Sequence, residues 1–473
     1  MSDTTPALID GEDVLAADVS EVRSPYDGAV VGAVPACTEE DLDRAVAVAL
    51  QRHRGGPLHA YERAEVLDRV AAALLGRLDE FAASITAESA KPITTARVEA
   101  QRAVDTVRFS AAMARTFTGE MIPLDASSAG VGKLGFTKRV PIGVVAAISP
   151  FNFPLNLVCH KIAPAVAVGC PVVLKPASAT PLTALRIARL FEECGLPPGW
   201  LNVVTCSGSV ANHLVEHPDV AMITFTGSPP VGWGIRARAA HKRVNLELGN
   251  NAPVIIEADG DWEAAAAKVA VGGYSFAGQS CISVQRVYAQ RSIHEGFVAA
   301  LAERVGSLRV GDPTDPGTEV SALINPGESV RVESWIDEAA AAGAEVVVGG
   351  RRAEHGVLVP TLLDGVTPDM QVSHTEVFGP VVGVAAYDSF DEAVDLANDS
   401  RYGLQAGVFT RDVGTALQAA DRLDYGGVLV NEVPTWRADQ QPYGGVRDSG
   451  NTREGPPFAV EEMTERRMVV IQG

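Results

Sequence analysis

Long uninterrupted hydrophobic runs are missing from this 473-residue sequence. The most apolar stretches, residues 140–148 and 162–174, are broken by Pro and Gly and fall short of the roughly 20 residues that span a bilayer. The first residues contain no basic region followed by an apolar stretch, so no secretory signal is expected. The sequence therefore predicts a cytoplasmic protein that does not bind a membrane.

Positive charge and cysteine are also scarce. Against 59 Asp and Glu stand 39 Lys and Arg, and the formal net charge of −20 opposes binding to nucleic acid. The cysteines are scattered, without the CxxC pairs or dense spacing of a zinc site or a disulfide scaffold: Cys37, Cys159, Cys170, Cys194, Cys206 and Cys281. We therefore predict free thiols and no metal site.

The hydrophobic pattern changes along the chain. Residues 39–51, 60–75 and 93–117 carry apolar residues at helical spacing. From residue 140 onward, short apolar runs alternate with helix-like segments, which predicts parallel α/β sheets. The length exceeds one ordinary hydrophobic core, so at least two domains are expected. The candidate strands are 144–149, 172–175, 201–204, 222–226, 254–257, 284–289, 345–348, 381–387, 407–410 and 427–431.

The segment GQSCISVQR, residues 278–286, contains the cysteine of greatest interest. A single cysteine is most often a small buried core residue. Cys281, however, follows a run of small and polar residues. Such a run predicts a loop into a helix, which would leave the thiol reachable and would favour its thiolate at the helix N-terminus.

Six further motifs share one order with this cysteine segment. They are SPFNFP (149–154), LKPASATP (174–181), FTGS (225–228), ELGNN (247–251), EVFGPVV (376–382) and PYGGVRDSG (442–450). Together they resemble the aldehyde dehydrogenase superfamily over nearly the full chain. The resemblance implies NAD(P)-dependent oxidation of an aldehyde to a carboxylic acid through a thioester on Cys281.

The catalytic residues implied by the resemblance also make chemical sense. A thiolate is a good nucleophile for an aldehyde carbon near neutral pH, and Cys281 would supply it. The amide of Asn152 would stabilise the resulting oxyanion, although an Asn between two Phe residues can also cap a turn. Glu247, in an apolar strand-like run where a carboxylate is costly, would activate the water that hydrolyses the thioester.

The resemblance assigns the cofactor, NADP or NAD, to residues that the other motifs contain. Lys175 would bind the adenosine ribose and Glu376 the nicotinamide ribose, with surface residues as the alternative reading of both. Close approach of the pyrophosphate would be allowed by the turn at Gly227 and Ser228. The remaining cofactor contacts are expected from Ser149, Phe151, Ser178 and Phe378.

Two positions depart from the family pattern. Asn250 stands where most members have Gly, which leaves Glu247 in place. Ser178 stands where NAD-preferring members often have a Glu, and a neutral residue removes repulsion against a 2′-phosphate. NADP use is therefore expected, and it could exceed NAD use.

The substrate is predicted to be a small anionic aldehyde. The substrate-region segments resemble succinate semialdehyde, lactaldehyde and phosphonoacetaldehyde dehydrogenases, and we expect succinate semialdehyde first. Arg108 and Arg437 would bind the anionic group, with His160 as an additional donor, because a planar guanidinium matches two oxygens. The alternatives are a solvated helix residue for Arg108 and a buried structural residue for His160.

Other functions of the same fold are conceivable. A CoA-acylating relative would lack the hydrolytic glutamate, and a catalytically silent relative would not need Cys281, Asn152 and Glu247 together.

The resemblance also implies a domain plan. A Rossmann-like cofactor domain would comprise residues 1–125 and 142–246, an α/β catalytic domain residues 247–440, and a small oligomerisation arm residues 126–141 and 455–473. Segments 131–139 and 467–472 would pair across subunits of a homodimer or homotetramer.

Overall fold

A computed structural model describes residues 4–473 of the chain. In chain order, the helices and strands of the first half are β1 (Ala7–Ile9), β2 (Glu12–Val14), β3 (Val19–Arg23), β4 (Val30–Pro35), α1 (Glu39–Arg54), α2 (Ala60–Gly76), α3 (Leu78–Ser89), α4 (Ile93–Thr116), β5 (Met121–Ile122), β6 (Lys133–Pro141), β7 (Val144–Ile148), α5 (Asn156–Val168), β8 (Val172–Lys175), α6 (Leu182–Glu193), β9 (Leu201–Val203), α7 (Gly208–Glu216), β10 (Val220–Thr226), α8 (Pro229–Arg238) and β11 (Arg243–Glu247).

Those of the second half are β12 (Ala252–Ile256), α9 (Trp262–Tyr274), β13 (Val284–Gln290), α10 (Arg291–Ser307), α11 (Pro326–Ala341), β14 (Glu345–Val348), β15 (Thr361–Asp364), α12 (Gln371–His374), β16 (Val381–Tyr387), α13 (Phe390–Asn398), β17 (Gln405–Phe409), α14 (Val413–Arg422), β18 (Gly427–Val430), α15 (Pro456–Glu462) and β19 (Thr464–Gln472). Every candidate strand of the sequence analysis is present within a few residues, and the predicted α/β class is confirmed.

The first large sheet has the strand order β11-β10-β7-β8-β9-β1-β2. Strands β11 to β9 are parallel, and β1 and β2 are added antiparallel at one edge. Alternate residues of β7 enter different cores, Val145 and Ala147 on one face and Val144 and Ala146 on the other. Because successive strand side chains point to opposite faces, this sheet is buried between two helical layers.

The second large sheet has the order β14-β15-β16-β13-β12-β17-β18. It is parallel except for the antiparallel edge strand β14. Its faces are covered in the same way, since Val254 and Ile256 of β12 pack into one core and Ile255 into another.

The two large sheets are joined by a short connection, residues 248–251 between β11 and β12. The carboxyl end of the last parallel strand of one sheet is therefore close to the amino end of a central strand of the other. Ligands of open parallel sheets bind beyond the carboxyl ends of the strands. Here that edge faces the loops that enter the second sheet.

A small sheet of order β19-β6-β5 contains both segments that were predicted to pair across subunits. Within one chain, β6 and β19 pair with each other along their whole length, from Lys133 with Gln472 to Pro141 with Thr464. Their backbone groups on the shared edge are thereby satisfied within one chain.

No helix within residues 4–473 is long and apolar enough to cross a membrane. Outside the two large sheets, β3 pairs with β4, and β6 pairs with β5 and β19. The division of the chain into a cofactor domain, a catalytic domain and an oligomerisation arm remains a prediction.

Candidate active site

A cavity of about 710 Å³ lies between the carboxyl edge of the first sheet and the loops that enter the second. This volume is in the range of about 300–1,000 Å³ typical of small-molecule sites. Most of the predicted site residues line its wall: Ser149, Phe151, Asn152, Lys175, Ser178, Gly227, Ser228, Cys281, Glu376 and Phe378. Residues from six motifs that are far apart in the sequence thus share one cavity.

Cys281 lies in a turn between the 3-10 helix Ser275–Gly278 and strand β13. The expectation of a loop into a helix was wrong, because the β-branched and aromatic residues after Ser283 form a strand. No helix N-terminus therefore favours the thiolate. The thiol is partly exposed to the cavity and is the only one of the six cysteines that is not buried, all six being free.

Burial raises the pKa of Cys281 to about 12, and its hydrogen bond with Tyr443 opposes this rise. The Sγ of Cys281 and the hydroxyl oxygen of Tyr443 are 2.9 Å apart. At neutral pH the unliganded protein therefore carries the neutral thiol, and catalysis by the thiolate requires a base.

Asn152 follows β7, in the loop before α5. Its Nδ2 donates to the main-chain oxygen of Gln279 at 2.9 Å, which joins this loop to the cysteine loop. The side chain is 4% exposed and its Oδ1 accepts no hydrogen bond from the described residues. An amide held next to the nucleophile in this way can present its second N–H to an oxyanion.

Glu247 is the last residue of β11 and is 5% exposed. Neither of its carboxylate oxygens has a hydrogen-bond partner among residues 4–473. Burial, and after it the charge of Glu454, raises the pKa of Glu247 well above its usual range. Gly444 leaves room for the carboxyl group, since a Cβ there would lie 2.9 Å from Oε1. A buried, unpartnered carboxyl group is typical of a general base.

A buried charged cluster lies behind these residues. Arg437 donates from Nη2 to Glu454 Oε2 at 2.8 Å, and its guanidinium lies 3.8 Å from the ring centroid of Tyr443. Burial opposes ionisation of Glu454, but the charge-bearing groups around it, first His160 and then Arg437 and Lys161, lower its pKa. The predicted planar fork of Arg437 is thus partly occupied within the protein, and the residue is 5% exposed rather than at an open entrance.

His160 is buried in the same cluster. Its Nε2 lies 3.0 Å from Asp439 Oδ1 and 3.2 Å from Arg437 Nη2. Burial lowers the pKa of His160, so the ring is neutral near pH 7. Asp439 also accepts two hydrogen bonds from Arg102, at 2.8 and 3.1 Å. His160 therefore occupies the position of a buried structural residue, which was the alternative to a substrate donor.

Arg108 does not join the site. Its side chain is half-exposed on α4 and lies 3.5 Å from Asp105 on the same helix. Within the part of the chain that the structure describes, the cavity wall does not include it. The helix turns Arg102 toward Asp439 and Arg108 toward solvent.

Of the two residues predicted for the ribose hydroxyls, Lys175 is buried and Glu376 is half-buried. The Nζ of Lys175 has one long contact, 3.5 Å to Ser178 Oγ, so its other hydrogens are available to a ligand. Burial raises the pKa of Glu376 to about 8, and the N–H of Asn250, which donates at 2.9 Å, opposes this rise. Gly249 is required here, because a Cβ would lie 2.2 Å from Glu376 Oε2. These groups fit a dinucleotide with two ribose rings.

The turn at Gly227 and Ser228 differs from the expectation in one respect. Helix α8 begins with Pro229 and Pro230, which have no N–H groups to offer to a pyrophosphate. The N–H of Gly227 already donates to the main-chain oxygen of Glu247 at 3.1 Å. Close approach is still possible here, but it would rely on fewer backbone donors than a helix N-terminus normally provides.

Sequence reasoning missed three residues of this site. Lys161 donates to Thr224 at 3.1 Å and to Thr226 at 2.7 Å, and Tyr443 contacts the thiol. The signal for Lys161 was present, since a single lysine in the otherwise apolar helix α5 is costly unless it has partners. Glu454, in a polar segment, carries no such signal.

Comparison with known proteins identifies the family of this chain. The model of the aldehyde dehydrogenase family matches residues 15–469. The 3-sulfolactaldehyde dehydrogenase of Priestia aryabhattai is 44% identical over 464 residues, 98% of this chain and 97% of that protein. The lactaldehyde dehydrogenase of Methanococcus aeolicus is 36% identical, covering 98% and 99%.

Solved structures are similar throughout. Aldehyde dehydrogenase 21 of Physcomitrella patens, in complex with the reaction product succinate, has a TM-score of 0.96 at 37% identity, covering 100% of this chain and 99% of its own. An NAD-dependent aldehyde dehydrogenase of Sinorhizobium meliloti has a TM-score of 0.96 at 36% identity, covering 100% of this chain and 95% of its own. An NADP-dependent E. coli enzyme has a TM-score of 0.96 at 33% identity, covering 99% of this chain and 98% of its own. The chain belongs to the aldehyde dehydrogenase family, and the predicted NAD(P)-dependent aldehyde dehydrogenase is confirmed.

Proposed function

We propose that this enzyme oxidises a short anionic aldehyde to the carboxylic acid through a thioester on Cys281. The sequence alone favoured succinate semialdehyde. The 44% identity to a 3-sulfolactaldehyde dehydrogenase shifts our preference to that sulfonated substrate. Succinate semialdehyde comes second, phosphonoacetaldehyde third and neutral lactaldehyde last.

Residues of this chain account for the proton movements. Glu247 accepts the proton that leaves Cys281 as its sulfur bonds to the aldehyde carbon. Asn152 and the main-chain N–H of Cys281 donate hydrogen bonds to the oxygen that becomes negative. After oxidation to the thioester, Glu247 passes that proton to solvent and then removes one from water, which attacks the acyl carbon. The acid is released as the carbon–sulfur bond breaks, and the cysteine sulfur regains a proton from Glu247.

The cofactor is held at the end of the cavity that contains Lys175, Ser178 and Glu376, which we term the cofactor end. When bound, the nicotinamide takes up the two electrons that leave the aldehyde. Lys175 and Glu376 bind ribose hydroxyls. Phe151 and Phe378 border the site, with their rings in an edge-to-face arrangement and their ring centroids 5.9 Å apart. Ser178 adds no negative charge near a 2′-phosphate, so we propose that both NADP and NAD are accepted.

One observation carries the anionic part of the proposal. Arg437 is a buried cation that stacks on Tyr443, whose hydroxyl contacts the nucleophile. Although Glu454 pairs with this guanidinium, the charge of Arg437 acts on the thiol of Cys281 and opposes the rise in its pKa. Through a medium of low dielectric constant the same charge attracts an anionic substrate without direct contact. We term this region, with Cys281, Asn152 and Glu247, the aldehyde end.

The test uses a matched pair of substrates, because 3-sulfolactaldehyde is lactaldehyde with a sulfonate on its methyl carbon. We expect wild type to prefer the sulfonate in kcat/KM by about tenfold or more, as a charged interaction of about 1.5–3 kcal/mol implies. The double variant Arg437→Met/Glu454→Gln removes both partners, so no buried charge is left unpaired. It should lose most of this preference.

Arg108→Met is the matched control, because this arginine lies outside the cavity. It should keep the wild-type preference. Equal efficiency of wild type on both aldehydes, or an unchanged preference in the double variant, would contradict an anionic substrate attracted by Arg437.

We also propose that the enzyme is a homodimer or homotetramer. Strand β19 is an edge strand of the small sheet and exposes Met468, Val470 and Ile471. An exposed apolar edge strand is a site for pairing with another chain. Sedimentation that finds only monomers at micromolar concentration would refute this assembly.

A further inference from the structure

Lys91 is a completely buried cation that the proposed reaction does not use. It lies in the three-residue connection between α3 and α4 and is 0% exposed. Its Nζ donates to the carboxylate of Glu99 and, at 2.6 Å, to the main-chain oxygen of Asn152. Burial lowers the pKa of Lys91, with the charge of Glu99 opposing this. Burying an ion pair costs desolvation free energy, so the placement of this pair beside Asn152 indicates a role for it there.

Glu99 contacts the same loop from the other side. Its Oε1 accepts hydrogen bonds from the N–H groups of Leu155, at 2.9 Å, and Asn156, at 3.2 Å. The pair formed by Lys91 and Glu99 thus contacts the chain both at Asn152 and three to four residues later. These contacts determine the main-chain position from which the Asn152 side chain reaches the cysteine loop.

The ammonium group of Lys91 also contacts the cysteine loop. It lies 3.8 Å from the ring centroid of Phe153 and 4.5 Å from that of Phe276. Phe276 and Ala277 have φ values of +50° and +53°, a left-handed conformation that is unfavourable for residues with a Cβ. Surrounding contacts must maintain this turn, and a cation on the Phe276 ring is one of them.

We propose that Lys91, paired with Glu99, is a positioning residue that holds the Asn152 amide and the Cys281 loop in register. The inference rests on the proposed roles of Asn152 and Cys281. Lys91 acts through Asn152, because its ammonium group bonds to the main chain of that residue and not to the substrate. Its loss should misplace the oxyanion donor while leaving the binding of aldehyde and cofactor nearly intact.

The test is a double-mutant cycle in the pre-steady-state burst of reduced cofactor. Lys91→Met/Glu99→Gln removes both charges, and Asn152→Ala removes the amide. We expect the charge-free variant to lower the burst rate about ten- to a hundredfold, as misplacement by about 1 Å can do, with KM values within about threefold of wild type. Combined with Asn152→Ala, it should cause little further loss, because both changes remove one function.

Two controls separate positioning from general stability. Glu88→Gln alters an equally buried acidic residue that accepts from the N–H groups of Leu182 and Thr183, at the start of α6, and not from the Asn152 loop. It should lower the melting temperature without lowering the burst rate. Lys91→Arg, which keeps the positive charge, should restore part of the burst rate. If the charge-free variant fails to fold, Glu99→Gln alone replaces it, with the same expected direction.

The outcomes are distinguishable. A wild-type burst rate in the charge-free variant, or losses that simply add to those of Asn152→Ala, would overturn the positioning role. A burst rate unaffected by Asn152→Ala would instead contradict the proposed oxyanion donor, and with it the proposed mechanism.

Discussion

At the cofactor end of the cavity, Lys175 stands at the carboxyl end of β8 and Ser149 just beyond that of β7, whereas Glu376 precedes β16. At the aldehyde end, Cys281 precedes a strand, and the charges behind it form a buried network around Arg437. The positions of Lys175 and Ser149 follow a general rule of parallel sheets. The aldehyde end depends on loop conformations and long-range charge pairing, so substitutions there should have the larger effects.

The largest expected effect is that of Cys281→Ala, which should abolish turnover, because no other group can form the thioester. Glu247→Gln should form the thioester more slowly than wild type, because the thiol must then lose its proton to solvent, and should hydrolyse the thioester hardly at all. It should therefore release about one equivalent of reduced cofactor per site and then stop. Rapid-mixing absorbance measurements check both, and sustained turnover by Cys281→Ala would disprove the mechanism.

The two carboxyl groups of the aldehyde end should respond oppositely to removal of charge. Glu454→Gln leaves the buried Arg437 without its ion-pair partner and should destabilise the protein by about 3–5 kcal/mol. No residue in the described range 4–473 forms an ion pair with Glu247, and its pKa is raised in the folded protein above the ordinary 4.5. Glu247→Gln should therefore stabilise the protein at alkaline pH.

The sign of the pH dependence follows from linkage. The folded state holds the proton of Glu247 more tightly than the unfolded state does. The stability that this proton contributes is complete below pH 4.5 and is lost as the pH rises through the raised folded pKa. The stabilising effect of Glu247→Gln should thus grow from near zero at acidic pH to its maximum above that pKa. Melting curves of Glu454→Gln and Glu247→Gln across this pH range test the predicted opposite effects on stability. Equal shifts of the melting temperature in the two variants would contradict the prediction.

Asn152→Ala should lower kcat by about 10²–10³-fold, as loss of one oxyanion donor does elsewhere. The KM of the cofactor should hardly change, because Asn152 lies at the aldehyde end. Steady-state kinetics with both substrates varied would measure this. A large rise in the KM of the cofactor with unchanged kcat would show that the two ends are not separable.

The smallest effect is expected at the cofactor end. Ser178→Glu places a carboxylate near the 2′-phosphate position and should shift the ratio of kcat/KM for NADP over NAD toward NAD by about tenfold, through like-charge repulsion. The kcat with NAD should stay close to that of wild type. No measurable NADP turnover by wild type would refute the cofactor proposal.

Much of the fold was predictable because its signals are local. Runs such as VVLK and VVGVAAY contain consecutive β-branched and apolar residues, which identify buried parallel strands. The helix-like segments at residues 39–51 and 60–75 were correct within a few residues. The conformation after Cys281 was not, because the small residues before it are compatible with several turns and the tertiary contacts of β13 decide between them.

Charge pairing shows the same division. The resemblance of the motifs to the aldehyde dehydrogenase family indicated that Cys281, Asn152 and Glu247 are functional candidates, but no pattern along the chain relates Arg437 to Glu454 or Lys91 to Asn152. Arg108 and Arg102 differ by six residues on one helix, and only packing determines that one faces solvent and the other Asp439.

The sequence by itself determined the α/β class, the order of the motifs and the chemical types available to the site, because strand, helix and turn preferences act between near neighbours. Only the tertiary structure decided which charges are paired, which carboxyl group remains without a partner and how the cysteine turn is oriented. Those properties depend on burial and on contacts between residues up to hundreds of positions apart, such as His160 and Asp439. Burial and pairing together determine whether an ionisable group is stabilised in its charged form or has a shifted pKa that suits it to catalysis.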